Sequence, residues 1–147
     1  MQEMEENAFF WYWFVNIPGV GSVSRRKLLE RFGHPERVYS AEEEEYADIL
    51  TPGQRARLQE SRDVRRIRQS MERLLRFGAR FLHWESPDYP SGFRQLFDPP
   101  YGIYVRGRLP EEERPVLGMV GSRAATSYGI RAAQRFAAEL SRQGVQI

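Results

Sequence analysis

The stretch MVGSRAATSYGIRAAQRFAAEL, residues 119–140, decides how the second half of this chain is read. The apolar run Val116 to Val120 reads as a buried strand. It breaks into Gly121-Ser122-Arg123 and enters a helix with apolar residues at Ile130, Ala133, Ala137 and Leu140, the spacing of one buried face. Gly144 ends that helix, and Val145-Gln146-Ile147 reads as the next strand. A strand–loop–helix–strand unit of this kind belongs to doubly wound folds, whose phosphate sites lie outside the carboxyl ends of strands. The loop offers free amides, the Ser122 hydroxyl and the Arg123 guanidinium beside a helix N-terminus, an anion-binding combination. The same spacing also fits a plain turn in which Gly121 serves only geometry.

Upstream, residues 79–84 and 101–106 read as two further strands, separated by a loop, a short helix at 93–97 and the turn Asp98-Pro99-Pro100. Two blocks here carry a resemblance. Val120-Gly121-Ser122-Arg123 followed by Ala125-Thr126-Ser127-Tyr128-Gly129 is similar to the signature of the DNA-processing protein A family (DprA, also called Smf). Asp88-Tyr89-Pro90, Leu96-Phe97-Asp98-Pro99-Pro100 and Ile103-Tyr104-Val105-Arg106-Gly107 resemble that family's lead-in to the same fold. With a looser N-terminal match, the resemblance covers most of residues 9–147. It implies a non-enzymatic protein of natural transformation that binds and protects single-stranded DNA and helps load RecA; a cytoplasmic location is expected by default, because Glu3, Glu5 and Glu6 before the first apolar run are not the basic start of a signal peptide. It implies a Rossmann-like domain continuing past residue 147, so the chain is expected to be an amino-terminal piece of a longer protein. A homodimer formed through the absent part is implied with it. The expected contacts to DNA are Gly121 for close backbone approach, Ser122 as hydroxyl donor and Arg123 as the charged contact. Thr126 caps the helix, Tyr128 packs beside the loop or stacks on a base, and Gly129 permits close helix–strand packing.

The first half is helical in pattern. Phe9 to Phe14 are six consecutive aromatics, which point all round a helix and serve core packing first and base stacking second. Asn16 to Gly21 form a turn, Ser22 caps a helix running to Phe32, and Gly33 stops it. The Gly19-Val20-Gly21 turn between two helices resembles a helix-hairpin-helix, which either points amides at a DNA phosphate or serves packing alone. Ser40-Ala41-Glu42-Glu43 reads as a capping box opening an acidic helix. Thr51-Pro52 opens another helix, with a break near Ser61. Its apolar stripe is Val64, Ile67, Met71, Leu74 and Leu75, and Gly78 ends it. Its polar face is rich in arginine, with Arg65 and Arg66 as accessory DNA contacts or simply a solvated surface. The expected fold is thus a helical helix-hairpin-helix/SAM-like domain over residues 1–77, followed by a truncated Rossmann-like α/β domain over 78–147.

Charge is unevenly placed: residues 1–53 carry net −5 and residues 54–110 net +6. A basic middle beside an acidic start points to an accessory, polyanion-facing role for the helical part. There is no cysteine, and His34 and His83 are not in a metal-ligand spacing, so neither a metal nor another cofactor is expected. No Gly-x-Gly-x-x-Gly and no Walker lysine motif occurs, and Glu139 stands alone near the signature. Two other classes stay open: a nucleotide-binding or nucleotide-hydrolysing enzyme of Rossmann-like fold, and a helical protein-interaction module. The second loses ground if Phe9, Trp11 and Trp13 are buried. Ala8 to Val15 is too short to span a bilayer, so no membrane partner is expected.

Overall fold

A computed structural model describes residues 2–111 and 113–147. The chain divides into two compact units, one ending at Gly107 and the other beginning at Arg108.

The first unit is built around α1 (Gln2–Val15), which packs against helices on one side and strands on another. Six adjacent aromatics cannot share one face, so α1 is enclosed rather than laid on a surface. Trp11, Tyr12, Trp13 and Phe14 are all buried, and Phe9 is half-buried against them. Polar ring atoms find partners inside: Trp13 Nε1 donates to Ser61 Oγ at 2.7 Å, and the Tyr12 and Ser70 hydroxyls meet at 2.7 Å. The burial of Trp11 and Trp13 removes the exposed-aromatic argument for a pure docking module.

Around α1 lie α2 (Ser22–Phe32), α3 (Pro35–Ser40), α4 (Pro52–Ser61) and α5 (Val64–Arg76). Gly33 closes α2 at φ 75°, a conformation that favours glycine. Gly21, not Ser22, occupies the position preceding α2. Ser40 ends α3 instead of capping a helix; the box is made by Glu42 and Glu45, which open a short 3₁₀ turn (Glu43–Tyr46). Thr51 and Gln54 form the reciprocal cap of α4. The break comes at Arg62-Asp63, where Asp63 Oδ1 accepts the Arg65 and Arg66 amides and starts α5. Arg62 Nη2 donates to the carbonyls of Val38 and Ala41 while its guanidinium lies over Tyr39 and Tyr46, tying α3 to the α4–α5 junction. On α5, Ile67 is buried, whereas Val64 and Leu75 are exposed and fall outside the working stripe.

β1 (Ala79–His83) and β2 (Gly102–Arg106) pair antiparallel, with Phe81 opposite Tyr104 and His83 opposite Gly102. A Cβ at Gly102 would collide with the Phe81 ring, so glycine lets that ring pack down toward Tyr12. The expected sheet of 79–84, 101–106, 116–120 and 145–147 is not formed among the described residues. Only α6 (Ser91–Arg94) lies between β1 and β2, too short for the crossover that parallel strands need. The chain reverses instead, with Trp84 N bonded to Tyr101 O at 2.9 Å and the Tyr89 hydroxyl to Pro100 O. No strand lies within residues 22–75. The first unit is therefore a mixed helical structure carrying a small two-stranded antiparallel sheet.

In the second unit, residues 116–120 form no strand, and their pairing among the described residues is an isolated parallel bridge, Val116 with Gln146. It is completed by Leu117 N to Gln146 O and Gln146 N to Pro115 O. α7 (Ser127–Arg142) ends before Gly144, which takes φ 88°. The expected buried stripe is only half-buried at Ala133, Ala137 and Leu140 and exposed at Ile130, because so small a unit has little surface with which to cover a helix.

One polar cluster in the first unit has a pH signature. The His83 ring stacks on Trp11, and burial pulls its imidazole below the ordinary 6.5, against the opposing pull of Glu85. Burial pushes Glu85 up, yet donors from Asn7 and Trp11 and the nearby imidazoles outweigh it and leave the carboxyl below its usual value. The unfolded chain therefore takes up the His83 proton before the folded one does. Stability is complete above pH 6.5 and falls as the pH drops from there toward the folded value. Melting temperatures between pH 7.5 and 5 should show this decline, and His83→Gln should flatten it; an unchanged slope in the variant would assign the decline elsewhere.

Candidate nucleic-acid interface

Gly121, Ser122, Arg123, Thr126 and Tyr128 lie together in the exposed loop and first turn of α7. Thr126 Oγ1 accepts the Gly129 amide at 3.1 Å, and Thr126 O accepts the Ile130 amide at 3.0 Å. This cap sets the direction of the helix start and leaves the amides of Ser127 and Tyr128 outside the helical ladder. The positive end of a 16-residue helix thus faces the loop. Ser122 Oγ accepts the Ala124 amide at 3.2 Å, holding the turn closed.

Gly121 is informative by what does not constrain it. Its φ is not positive, and a Cβ there would meet no atom within 4 Å. Neither a positive φ nor packing within the described residues demands glycine at this position. Gly129 is similar: a Cβ would make ordinary contact with Thr126 Oγ1 at 3.5 Å, so tight helix–strand packing does not account for it here. The Arg123 guanidinium is exposed and has no hydrogen-bond or ion-pair partner among the described residues. Tyr128 is 75% exposed and borders a shallow depression on α7 with Arg131, Arg135 and Phe136. A free cation, free amides and an exposed ring make a surface suited to phosphate and base.

The accessory residues lie in the other unit. Val20 is buried and pins the turn, while Gly19 takes φ 71°. Gly19 O accepts from Gln54 Nε2 at 3.0 Å, and a Cβ on Gly19 would collide with Arg57 Nη1. Gly21 is exposed and unobstructed. Arg65 and Arg66 are both exposed; Arg66 Nε is 3.3 Å from Asp63 Oδ2, and Arg65 has no acidic partner among the described residues. Arg57 was not among the residues singled out by sequence. Its only signal would have been its place on α4, facing the turn.

Among the described residues no group of three or more His, Asp or Glu side chains is placed to hold a metal ion, and no helix is long and apolar enough to cross a membrane.

Residues 80–147 match the family model of DNA recombination-mediator protein A. The chain is 26% identical over 144 residues to Protein Smf of Synechocystis sp. PCC 6803, covering 94% of this chain and 36% of that protein. It is 32% identical over 62 residues to Protein Smf of Borreliella burgdorferi, covering 42% of this chain and 20% of that protein. The chain thus spans little more than a third of the longer-matching relative. No solved structure matches it significantly. Both sequence blocks, and the α7 loop with its free Arg123, fall inside the matched stretch, so residues 80–147 are similar to the DNA-processing protein A (DprA/Smf) family.

Proposed function

We propose that this chain serves in single-stranded DNA binding by a recombination mediator of natural transformation, with the α7 loop as its phosphate site. The observation that carries the reading is the unpartnered Arg123 in the loop leading into α7, whose Ser127 and Tyr128 amides lie outside the helical ladder, within the stretch that matches a recombination-mediator family. In this reading Arg123 takes a phosphate, Ser122 donates its hydroxyl hydrogen bond, Gly121 permits close backbone approach, and Tyr128 contacts a base. Residues 78–147 are the first part of a Rossmann-like domain, and residues 1–77 are a helix-hairpin-helix/SAM-like accessory. RecA and a second copy of the full protein are its protein partners, in the cytoplasm. The role is binding rather than turnover.

The test is a titration of the 147-residue chain with a dT oligonucleotide at two salt concentrations, with nucleotide products followed in parallel. Retention of the oligonucleotide, weakening as salt rises and without turnover, is the expected outcome. Release of hydrolysed nucleotide would replace this reading with the nucleotide-enzyme alternative.

A further inference from the structure

A cleft of about 570 Å³ opens in the first unit between α1, the turn after it, α4 and α5. Its floor is Tyr12, Trp13 and Ile67, all buried. Its rim carries Arg57, Arg66 and Arg73, all exposed. The polar atoms of the floor are already satisfied, Tyr12 by Ser70 and Trp13 by Ser61, so the small part of the floor that stays accessible is apolar in character.

The rim cations are poorly neutralised compared with others in the unit. Arg26, Arg31, Arg55 and Arg80 each hold a carboxylate, on Asp98, Asp48, Glu43 and Asp88. Among the described residues Arg57 and Arg73 hold none, and Arg66 touches only Asp63, whose other oxygen is spent on the start of α5. Glu60 also lines the cleft and opposes an anion there. Gly19 has no Cβ, and this leaves the room in which the Arg57 guanidinium lies against the turn. An apolar floor under a rim of guanidinium groups matches the two halves of a nucleotide, base and phosphate.

We propose that this cleft binds one nucleotide unit of a single strand, its base on the Tyr12–Trp13–Ile67 floor and its phosphate on Arg57 and Arg73. The proposal rests on the single-strand reading above but adds a second site, built from residues of the first unit and not from those of the α7 loop.

The experiment follows the amide resonances of Ser61, Gln69 and Ser70 in the 147-residue chain during titration with dTMP and, separately, a dT oligonucleotide. Affinities are compared for Arg57→Ala, Arg73→Ala, Glu60→Gln and Arg123→Ala, with circular dichroism as the check on folding. All four side chains are exposed, so none of these changes removes a core contact. The oligonucleotide should move the cleft amides, and Arg57→Ala and Arg73→Ala should each weaken binding by roughly tenfold. Glu60→Gln should strengthen it, a sign that lost structure does not produce. Cleft shifts with dTMP alone would make a free nucleotide the occupant of the same site. Oligonucleotide binding that Arg123→Ala weakens, with still cleft amides and unaffected Arg57 and Arg73 variants, overturns the cleft and leaves the α7 site standing. Cleft binding indifferent to Arg123→Ala does the reverse. Absence of binding to either probe overturns both.

Discussion

Phe14→Ala is expected to destabilise the first unit by about 3–5 kcal/mol, the range for emptying a buried aromatic site. Phe14 is fully buried, its ring within 6.4 Å, centroid to centroid, of those of Trp11, Trp13 and Tyr101. Those neighbours come from the same helix and from the residue just before β2, so no single element can shift to fill the void. The backbone at this point is also held, with Arg25 Nε donating to Phe14 O at 3.3 Å and Arg25 Nη2 to Val15 O at 2.7 Å. These bonds cap the α1 carbonyls and hinder collapse of the helix end into the cavity. Domains of this size hold roughly 5–15 kcal/mol in total, so the loss is a large fraction of it. Denaturant unfolding monitored by tryptophan fluorescence should show a lowered midpoint at nearly constant slope. Phe14→Leu, which keeps most of the volume, should cost under about 1.5 kcal/mol. A loss below about 1 kcal/mol for Phe14→Ala would show that the core is not organised around α1.

Arg123→Ala is expected to weaken binding of a single-stranded oligonucleotide by about 1–3 kcal/mol and to reduce the salt dependence by about one phosphate contact. The guanidinium is exposed and makes no bond within the described residues, so its removal costs the fold almost nothing. That separates the readouts. Thr126→Ala removes the cap on Gly129 N and should instead cost about 1 kcal/mol of helix stability. Titrations of both variants at two salt concentrations, beside thermal melts, would distinguish them. Wild-type affinity and salt slope in Arg123→Ala would remove the loop from the binding site.

Much of the local structure was legible from short-range chemistry. Gly33 at φ 75°, Gly78 at φ 67° and Gly144 at φ 88° stand where helices were expected to stop, because a left-handed terminal residue is a local requirement. Thr51 with Gln54, and Thr126 with the Gly129 amide, are caps readable from residue type and spacing. The Gly121-Ser122-Arg123 loop before α7 was readable for the same reason. The Ser40 cap failed because another helix, α3, had already claimed that residue, and four consecutive glutamates left the true box ambiguous by two positions. β1 and β2 were located but not their antiparallel pairing, while the expected strands 116–120 and 145–147 reduce to the single bridge Val116–Gln146.

By itself, the sequence determined the helix boundaries set by glycines and caps, the aromatic identity of the core and the α7 loop that marks the family. Each of these depends on residues within about one turn of one another, or on composition. Only the tertiary structure decided the antiparallel pairing of β1 with β2, the enclosure of α1 on all sides and the convergence of Arg57, Arg66 and Arg73 over a buried floor. Those depend on which surfaces meet across tens of residues. Periodicity names a face to be buried, but the partner is chosen by chain reversal, available area and the cost of leaving polar groups unpaired.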